Sequence, residues 1–284
     1  MPKILSQAEA DAYKKDGYAC PVRVMSEDDA AEFRKRFEAY EQEHGGWYTL
    51  SKGQKIYLLQ TWAADLVRHP KVLDAVEDVL GPDFLCWGQS LFVKEPHDPG
   101  FVTMHQDGTY WGLSKPDVVT AWIALSPATK QSGCMKVVPG THLMELQEHT
   151  DTLDENNLLT RGQEIAVDVD EGDAVFMPLQ PGELSLHHVR LVHGSAPNQS
   201  DDRRIGVAIR YIAPHVSQKE ADKDSAWLVR GEDTQGNFIH ETPPHADMDA
   251  AAMAEHKRIM ALRQDVLYKG VAGKPAHADL PDAR

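Results

Sequence analysis

Cysteine is scarce in this sequence: only Cys20, Cys86 and Cys134 occur in 284 residues. Three widely spaced cysteines exclude a disulfide framework and a zinc site built from cysteines. The N-terminal segment has no apolar signal core, and no run approaches the roughly 20 apolar residues of a membrane span. We therefore expect a cytoplasmic protein that does not associate with membranes.

Positive charge is also in short supply, because 29 Lys and Arg face 44 Asp and Glu, for a formal net charge of −15. Binding to nucleic acid or anionic lipid depends on an excess of basic residues, so we expect neither as a partner. A glycine-rich phosphate loop and a G-x-S-x-G motif are both missing, which argues against a nucleotide-binding parallel sheet and an α/β-hydrolase. A small molecule is the expected partner.

The first part of the chain has the pattern of capped amphipathic helices. Ser6 with Glu9, and Ser26 with Asp29, have the spacing of capping boxes. The sequence therefore predicts helices that begin at these two serines and flank the rest of the fold.

A third helix is predicted from His69 to Leu80, where Gly81 and Pro82 end it. Between residues 83 and 214 the pattern changes to short apolar runs separated by Gly, Pro, Asp and Asn, which is typical of strands. Many short strands without intervening helices predict a mainly β fold of the sandwich or barrel type.

Residues 143–163 are polar and charged and interrupt the strands, so we expect a lid over the mouth of a barrel. One further helix is predicted from Asp249 to Leu267. We find no internal repeat and no clear linker. The sequence therefore predicts a single domain over 1–284, with a helical flank (1–82), a barrel core (83–214) and a C-terminal extension (215–284). The flank and the extension offer surfaces for a homodimer.

Two potential metal ligands, His105 and Asp107, are two residues apart at the end of a strand-like run. The strand period of two directs both side chains to one face. With His193, which follows a short apolar strand 86 residues later, they form the two-histidine, one-carboxylate set that leaves coordination positions open on Fe(II). The alternative for the His-x-Asp pair alone is a hydrogen-bonded strand end.

A basic pair, Arg203 and Arg204, begins the next strand after His193. Strand alternation allows only one of the two inside a barrel, where an arginine needs an anion. Arg204, eleven residues after His193, is the candidate. The alternative is an exposed pair that balances Asp201 and Asp202.

Three motifs resemble the phytanoyl-CoA dioxygenase family of Fe(II)/2-oxoglutarate-dependent oxygenases: MHQDGTYWG, SGCMKVVPGTH and VHGSAPNQSDDRR, together with the Arg-Tyr pair at Tyr211. The likeness extends from Tyr18 to Tyr211. It implies a double-stranded β-helix, a jelly-roll (cupin-like) barrel with flanking α-helices.

The resemblance also implies roles for individual residues. Iron would be held by His105, Asp107 and His193, and Arg204 would hold the distal carboxylate of 2-oxoglutarate. Further cosubstrate contacts would come from Ser195, Gln89, Trp111 and, as an additional candidate, Gln106. Fe(II) would be the metal cofactor, with 2-oxoglutarate and O2 as cosubstrates.

The intact carboxylate at Asp107 favours hydroxylation, because related halogenating enzymes have a small residue there to admit chloride. Within the family, the sequence resembles most closely bacterial 2-aminoethylphosphonate dioxygenase-like members, which implies a small phosphonate substrate. Cationic or hydrogen-bonding partners for such an anion are available at Lys94, His187, Arg190 and Arg210. For His187 the alternative is a core histidine bonded to the backbone.

Other functions stay open at this point. The substrate could instead be an amino acid, an acyl-CoA or a specialised metabolite. A barrel that binds a metal or ligand without turnover, and zinc-dependent hydrolysis at the same ligands, are further alternatives, although hydrolysis would not need Arg204.

Overall fold

A computed structural model describes residues 2–48, 53–151, 154, 156–159, 163–166, 171–221 and 224–267. Four α-helices precede most of the strands and one follows them. Their bounds are α1 (Gln7–Asp16), α2 (Glu27–His44), α3 (Thr61–Val67), α4 (Pro70–Leu80) and α5 (Ala250–Leu267).

The predicted helix starts are confirmed by the caps. The Ser6 hydroxyl accepts from the backbone N–H of Glu9, and the Glu9 carboxylate accepts from the backbone N–H of Ser6. Ser26 and Asp29 form the same reciprocal pair at the start of α2. These side chains satisfy backbone N–H groups that the first helical turn leaves without partners.

The strands form one large sheet and one small sheet, both mainly antiparallel, and a separate two-stranded hairpin. The large sheet has the order β1-β9-β4-β11-β2-β12-β13, the small sheet β3-β10-β5-β8, and the hairpin pairs β6 with β7. The bounds are β1 (Tyr18–Arg23), β2 (Phe84–Lys94), β3 (Val102–His105), β4 (Val118–Ala124), β5 (Met135–Val137), β6 (His149–Asp151), β7 (Gln163–Ile165), β8 (Val175–Phe176), β9 (Glu183–His188), β10 (His193–Ser195), β11 (Arg204–Ile212), β12 (Asp224–Arg230) and β13 (Phe238–His240).

One face of the large sheet packs against the helices, and the other face lines a cavity. Leu91, Val207 and Ile209 alternate onto the outer face, where they join a buried apolar cluster with residues of the helices. Trp122 and Arg204 lie on the inner face and line a cavity, together with residues of the small sheet. Antiparallel pairing fixes this division, since directly opposed residues point to the same face. The mainly β fold with flanking helices is thus confirmed.

The large sheet extends beyond the predicted core of 83–214. Strand β1 comes from the helical flank and pairs with β9, and β12 comes from the C-terminal extension and pairs with β2. The large sheet thus contains strands from all three predicted segments. Strand β1 was not predicted because it is a short strand between two strong helix patterns. Across the described residues, no helix has both the length and the apolarity needed to cross a bilayer.

Candidate active site

The pairing of β3 with β10 brings the two nominated histidines together. His193 lies directly opposite His105, with 4.2 Å between the ring centroids. Asp107 begins a short 3-10 turn after β3, and its Oδ1 lies 3.4 Å from Nε2 of His105. One potential ligand atom from each of the three buried residues lies within 4.8 Å of the other two.

The orientation of both imidazoles suits metal binding. Nδ1 of His105 bonds to the carbonyl oxygen of Thr103, and Nδ1 of His193 bonds to that of Leu191, each at 2.9 Å. Because a carbonyl can only accept, both Nδ1 atoms carry the proton and both Nε2 atoms keep a lone pair. Two neutral imidazoles and one carboxylate are the donor set that non-haem Fe(II) takes, so the residues fit the ion.

The electrostatics of the cluster favour a neutral His193 and an ionised Asp107. Burial, together with the nearby His105, lowers the pKa of His193 to about 4. Although burial alone would raise the pKa of Asp107, the neighbouring rings of His105 and His193 and the charge of Arg210 hold it well below its usual range. An ionised Asp107 beside the neutral imidazole of His193 is ready to accept a divalent cation.

Arg204 points into the same cavity from β11. Its side chain is buried, Nη1 donates to the carbonyl oxygen of Gly133 at 2.8 Å, and Cζ lies 5.3 Å from the centre of the Trp122 ring. Burial lowers its pKa to about 10, so it stays charged at neutral pH. Its Nε is buried without a hydrogen-bond partner among the described residues. This donor and the buried charge indicate a site for an anion.

Arg203 takes the outward position that alternation requires, where its side chain is mostly covered. It pairs with Glu41 and Glu95, and not with the neighbouring aspartates that the sequence suggested. Its backbone N–H donates to the carboxylate of Asp202.

Ser195 lines the cavity next to Arg204. Its hydroxyl accepts from Nζ of Lys94 at 2.8 Å. Burial and the charge of Arg204 lower the pKa of Lys94 to about 6. Lys94 therefore stands behind Ser195, as a buried donor on the Arg204 side of the cavity.

Gln89 does not line the cavity, in contrast to its predicted place beside the cosubstrate. It lies opposite Ile209 on the outer face of the large sheet, and its Oε1 accepts from the backbone N–H of Tyr57 at 3.3 Å. The neighbouring Ser90 has the inward position, where its hydroxyl accepts from Nη1 of Arg210. A shift of one residue along a strand moves a side chain to the other face.

Trp111 and Gln106 are also not among the residues that line the cavity, in contrast to their predicted contacts with the cosubstrate. Trp111 packs edge-on against Trp87, and Cζ of Arg210 lies 5.3 Å from the centre of its ring, so it supports a cavity residue. The Gln106 amide joins two backbone segments, with Nε2 donating to the carbonyl of Arg190 and Oε1 accepting from Gln147 N.

A polar row across the inner face of the large sheet joins two residues that the sequence suggested, His187 and Arg210, to one that it did not suggest, Thr120. His187 in β9 lies opposite Thr120 in β4, which lies opposite Arg210 in β11. All three side chains line the cavity. Thr120 Oγ1 and His187 Nε2 lie 3.4 and 3.9 Å from Oδ2 of Asp107. Thr120 itself was missed, and its position as an isolated polar residue inside an apolar strand was its signal in the sequence.

The cavity provides about 440 Å³ of space between atoms, part of it open to solvent. Leu159, from the segment proposed as a lid, contributes to the lining, and Asn157 Nδ2 donates to Thr103 Oγ1 on β3. The predicted lid (143–163) thus lies beside the cavity in its described part, while residues 152–153, 155 and 160–162 are outside the described residues.

Comparison with known proteins links this geometry to a family. The family model for phytanoyl-CoA dioxygenase (PhyH) matches residues 13–206, more than half of the chain. A 1-deoxypentalenic acid 11-beta-hydroxylase from Streptomyces arenae is 33% identical over 197 residues, which are 64% of this chain and 69% of the relative. A probable alpha-ketoglutarate-dependent hypophosphite dioxygenase from Stutzerimonas stutzeri is 31% identical over 151 residues, and this match spans only about half (52%) of each chain.

Solved structures agree with the assignment. The non-heme monooxygenase ThoJ, in its apo form, is 36% identical with a TM-score of 0.80, and the match covers 91% of this chain and 96% of ThoJ. CytC3 with Fe(II) and alpha-ketoglutarate, at 21% identity and a TM-score of 0.64, shares the fold; the match covers 87% of this chain and 98% of CytC3. The cofactors are Fe(II) and 2-oxoglutarate, with O2 as the second cosubstrate. The chain therefore belongs to the phytanoyl-CoA dioxygenase family of Fe(II)- and 2-oxoglutarate-dependent oxygenases.

Proposed function

We propose that this enzyme hydroxylates a C–H bond of a small polar metabolite, with a phosphonate such as 2-aminoethylphosphonate as the leading candidate. The observation that carries the proposal is that His105, Asp107, His193 and the buried Arg204 line one cavity. The three metal ligands alone would be equally consistent with metal-dependent hydrolysis. A buried arginine with a free Nε beside that set is what a dicarboxylate cosubstrate requires.

Each of these residues has a defined task in the proposed reaction. His105, Asp107 and His193 would hold Fe(II), whose chemistry when bound is the activation of O2 with 2-oxoglutarate as the reductant. One oxygen atom enters the substrate as a hydroxyl group and the other enters succinate, while the C1 carboxylate of 2-oxoglutarate leaves as CO2. Arg204 would hold the distal carboxylate and Ser195 would assist it, which orients the cosubstrate relative to the metal ligands.

Two observations support an acidic substrate. The relatives named above are described by their action on hypophosphite and on 1-deoxypentalenic acid, which are both acids. Arg210 and His187 add hydrogen-bond donors to the lining, in addition to Arg204. An amino acid, an acyl-CoA or a specialised metabolite is the second candidate substrate class, and the 1-deoxypentalenic acid hydroxylase favours the last of these.

Anaerobic titration of the Fe(II)-loaded protein with 2-oxoglutarate, followed through the visible charge-transfer band of the complex, tests the class of reaction. We expect saturable binding that Arg204→Ala weakens at least tenfold. Succinate release is then measured across phosphonates, hypophosphite, amino acids and acyl-CoAs. Binding without any oxygen consumption across the panel would support a non-catalytic barrel, and coupled turnover with another class but not with phosphonates would exclude the phosphonate.

A further inference from the structure

Leu159 differs from the other residues that line the cavity in its origin. Of the lining residues in the described part of the chain, it alone comes from the segment between β6 and β7. The others lie in strands of the two sheets or, in the case of Asp107, in the turn directly after β3. Connecting segments on a rigid scaffold commonly carry the residues that bind ligands. Leu159 is therefore a candidate for a contact that the sheets themselves do not supply.

The more exposed side of the cavity is mainly apolar. The half-buried lining residues, unlike the buried metal ligands, are Phe92, Val102, Met135, Leu159 and Arg210. Four of these five side chains are apolar, and the cavity is partly open to solvent. Apolar side chains at such an opening are favoured to cover apolar surface of a bound molecule, because both surfaces then leave water.

Backbone hydrogen bonds hold the segment with Leu159 against the start of β3. The N–H of Phe101 donates to the carbonyl oxygen of Asn156 at 3.0 Å, and the N–H of Leu158 donates to the carbonyl oxygen of Phe101 at 2.9 Å. Phe101 and Asn157 thereby form a parallel bridge. The path of the chain next to the cavity is thus fixed by main-chain pairing.

The side chain of Asn157 adds a clamp between this segment and β3. Its Nδ2 donates to Oγ1 of Thr103 at 2.8 Å, and its Oδ1 accepts from the backbone N–H of Leu159 at 3.1 Å. Asn157 is only 8% exposed, so both ends of a buried amide are paired. One side chain therefore determines where Leu159 lies relative to β3.

Thr103 connects the clamp to the metal ligands. Its hydroxyl accepts from Asn157, and its carbonyl oxygen accepts from Nδ1 of His105 at 2.9 Å. A single residue of β3 therefore fixes both the imidazole of His105 and the segment that presents Leu159. The apolar side chain is held in register with the proposed metal site.

We infer that Leu159, positioned by Asn157 on Thr103, determines substrate specificity by contacting an alkyl part of the substrate at the cavity opening. This inference rests on the proposed oxygenase function and narrows its substrate class to acids, phosphonates or carboxylates, that carry an alkyl chain. The residues assigned to 2-oxoglutarate all lie in the two sheets, so the cosubstrate does not require Leu159. Each methylene group that becomes buried at this opening should improve binding roughly fourfold.

The test uses the Fe(II)-loaded enzyme and two homologous series, the ethyl-, butyl-, hexyl- and octylphosphonates and the alkanoates from butanoate to decanoate. The polar reference compound is 2-aminoethylphosphonate. Two quantities are measured for each variant. They are the Kd of 2-oxoglutarate under anaerobic conditions, from the visible charge-transfer band, and the concentration of each acid that gives half-maximal stimulation of succinate release.

In the wild type, the half-maximal concentration should fall with chain length in at least one series. Leu159→Ala should raise it at least tenfold for the acid that binds best, because three carbon atoms of apolar contact are lost. The shortest acid of the series and the Kd of 2-oxoglutarate should change less than twofold. Leu159→Met, which keeps the apolar bulk, should retain the dependence on chain length. Leu143→Ala, at a leucine that is 73% exposed and is not among the lining residues, is the matched control and should change neither quantity.

The positioning role of Asn157 has its own set of variants. Asn157→Ala and Thr103→Val remove the two ends of one hydrogen bond, so each should weaken the dependence on chain length. The double variant should be no worse than Asn157→Ala alone, because the same bond is lost. Thr103→Ser keeps the hydroxyl and should behave like the wild type. Additive effects of the two single substitutions would show that Asn157 does not act through Thr103.

Four results would overturn the specificity role of Leu159. A dependence on chain length that survives Leu159→Ala would exclude the contact, and a loss of 2-oxoglutarate affinity in this variant would assign Leu159 to the cosubstrate. Stronger stimulation by 2-aminoethylphosphonate than by every alkyl acid would contradict the alkyl chain but support a phosphonate. No stimulation by any acid, in wild-type enzyme that still binds 2-oxoglutarate, would contradict the substrate class and leave the oxygenase function standing. A wild-type enzyme that does not bind 2-oxoglutarate would instead contradict the proposed function itself.

Discussion

His105 and His193 are directly opposed residues of neighbouring antiparallel strands, although 88 positions separate them in the sequence, and their ring centroids lie 4.2 Å apart. Strand register alone therefore sets the distance between two of the three proposed metal ligands. The third, Asp107, follows at the turn that ends the β3 segment.

Replacing the carboxylate ligand should abolish tight metal binding. Asp107→Ala removes the only anionic member of the cluster, so we expect the Fe(II) affinity to fall more than about 100-fold, beyond the 10–100-fold typical of residues that merely support a ligand. Anaerobic calorimetric titration measures this. Asp117→Ala, at an exposed aspartate beside His215, should bind Fe(II) normally. Unchanged affinity in Asp107→Ala would refute the proposed metal site.

Thr120 is expected to orient Asp107. Thr120→Val keeps the shape of the side chain but removes the hydroxyl 3.4 Å from Oδ2 of Asp107. We expect Fe(II) affinity to fall roughly 10-fold, since such supporting hydrogen bonds typically contribute 10–100-fold. Thr120→Ser should retain most of the affinity. If the valine variant binds Fe(II) like the wild type, the hydroxyl has no positioning role.

Gly206 is required by the ring of Trp122. A Cβ at this position would lie 1.9 Å from Cζ2 of Trp122, so Gly206→Ala must displace the indole on which Arg204 packs. We expect a loss of about 1–3 kcal/mol in the free energy of unfolding, as for other overpacked cores, together with weaker 2-oxoglutarate binding. Urea denaturation and the 2-oxoglutarate titration measure the two effects. The double variant Gly206→Ala/Trp122→Phe, which has a smaller ring, should recover part of the stability. If it does not, the clash with Trp122 is not the cause of the loss.

A buried ion pair joins the helical flank to the C-terminal extension. Lys55 and Glu241 are in contact with both side chains fully buried, and Ser225 Oγ also donates to Glu241. Lys55→Met should lower the free energy of unfolding by about 3–5 kcal/mol, because a carboxylate is left buried without its cation. Urea denaturation measures this.

Lys3→Met is the matched control for this prediction. Lys3 forms a partly exposed pair with Glu77, and loss of such a surface pair should cost about 1 kcal/mol or less. Equal effects of the two substitutions would show that the buried pair does not hold the extension in place.

Lys94 should make stability depend on pH in the protein free of metal and cosubstrate. Burial and Arg204 lower its pKa to about 6 from the ordinary 10.5. Between these values the unfolded chain binds a proton that the folded chain does not, so the free energy of unfolding should rise with pH, by at most about 1.4 kcal/mol per pH unit. Urea denaturation at pH 7, 8 and 9 should give a flatter profile for Lys94→Met. Parallel profiles would mean that Lys94 is not neutral in the folded protein.

Local sequence rules predicted the features that depend on neighbouring residues. The capping boxes at Ser6 and Ser26, and the inward position of Arg204 next to an outward Arg203, follow from periodicities of helices and strands. The grouping of His105 with Asp107 follows from the same strand period, and the motif order supplied His193.

Features that depend on register could not be predicted in this way. Gln89 and Ser90 are equally compatible with an inward position until the pairing of β2 with β11 is known. The bulge in this pair between Arg210 and Tyr211 changes the alternation once more. The row of His187, Thr120 and Arg210 joins three strands from distant parts of the sequence, so no local pattern contains it.

The sheet order also determines where the protein can be shortened. The segment that matches the family model stops at residue 206, only three residues into β11. A chain cut at this position would lose Ala208 and Arg210 from the cavity wall and the whole of β12, which pairs with β2. Expression of the recognised segment alone should therefore give an incomplete, aggregation-prone product, because the edges of β4 and β2 would be left without partners.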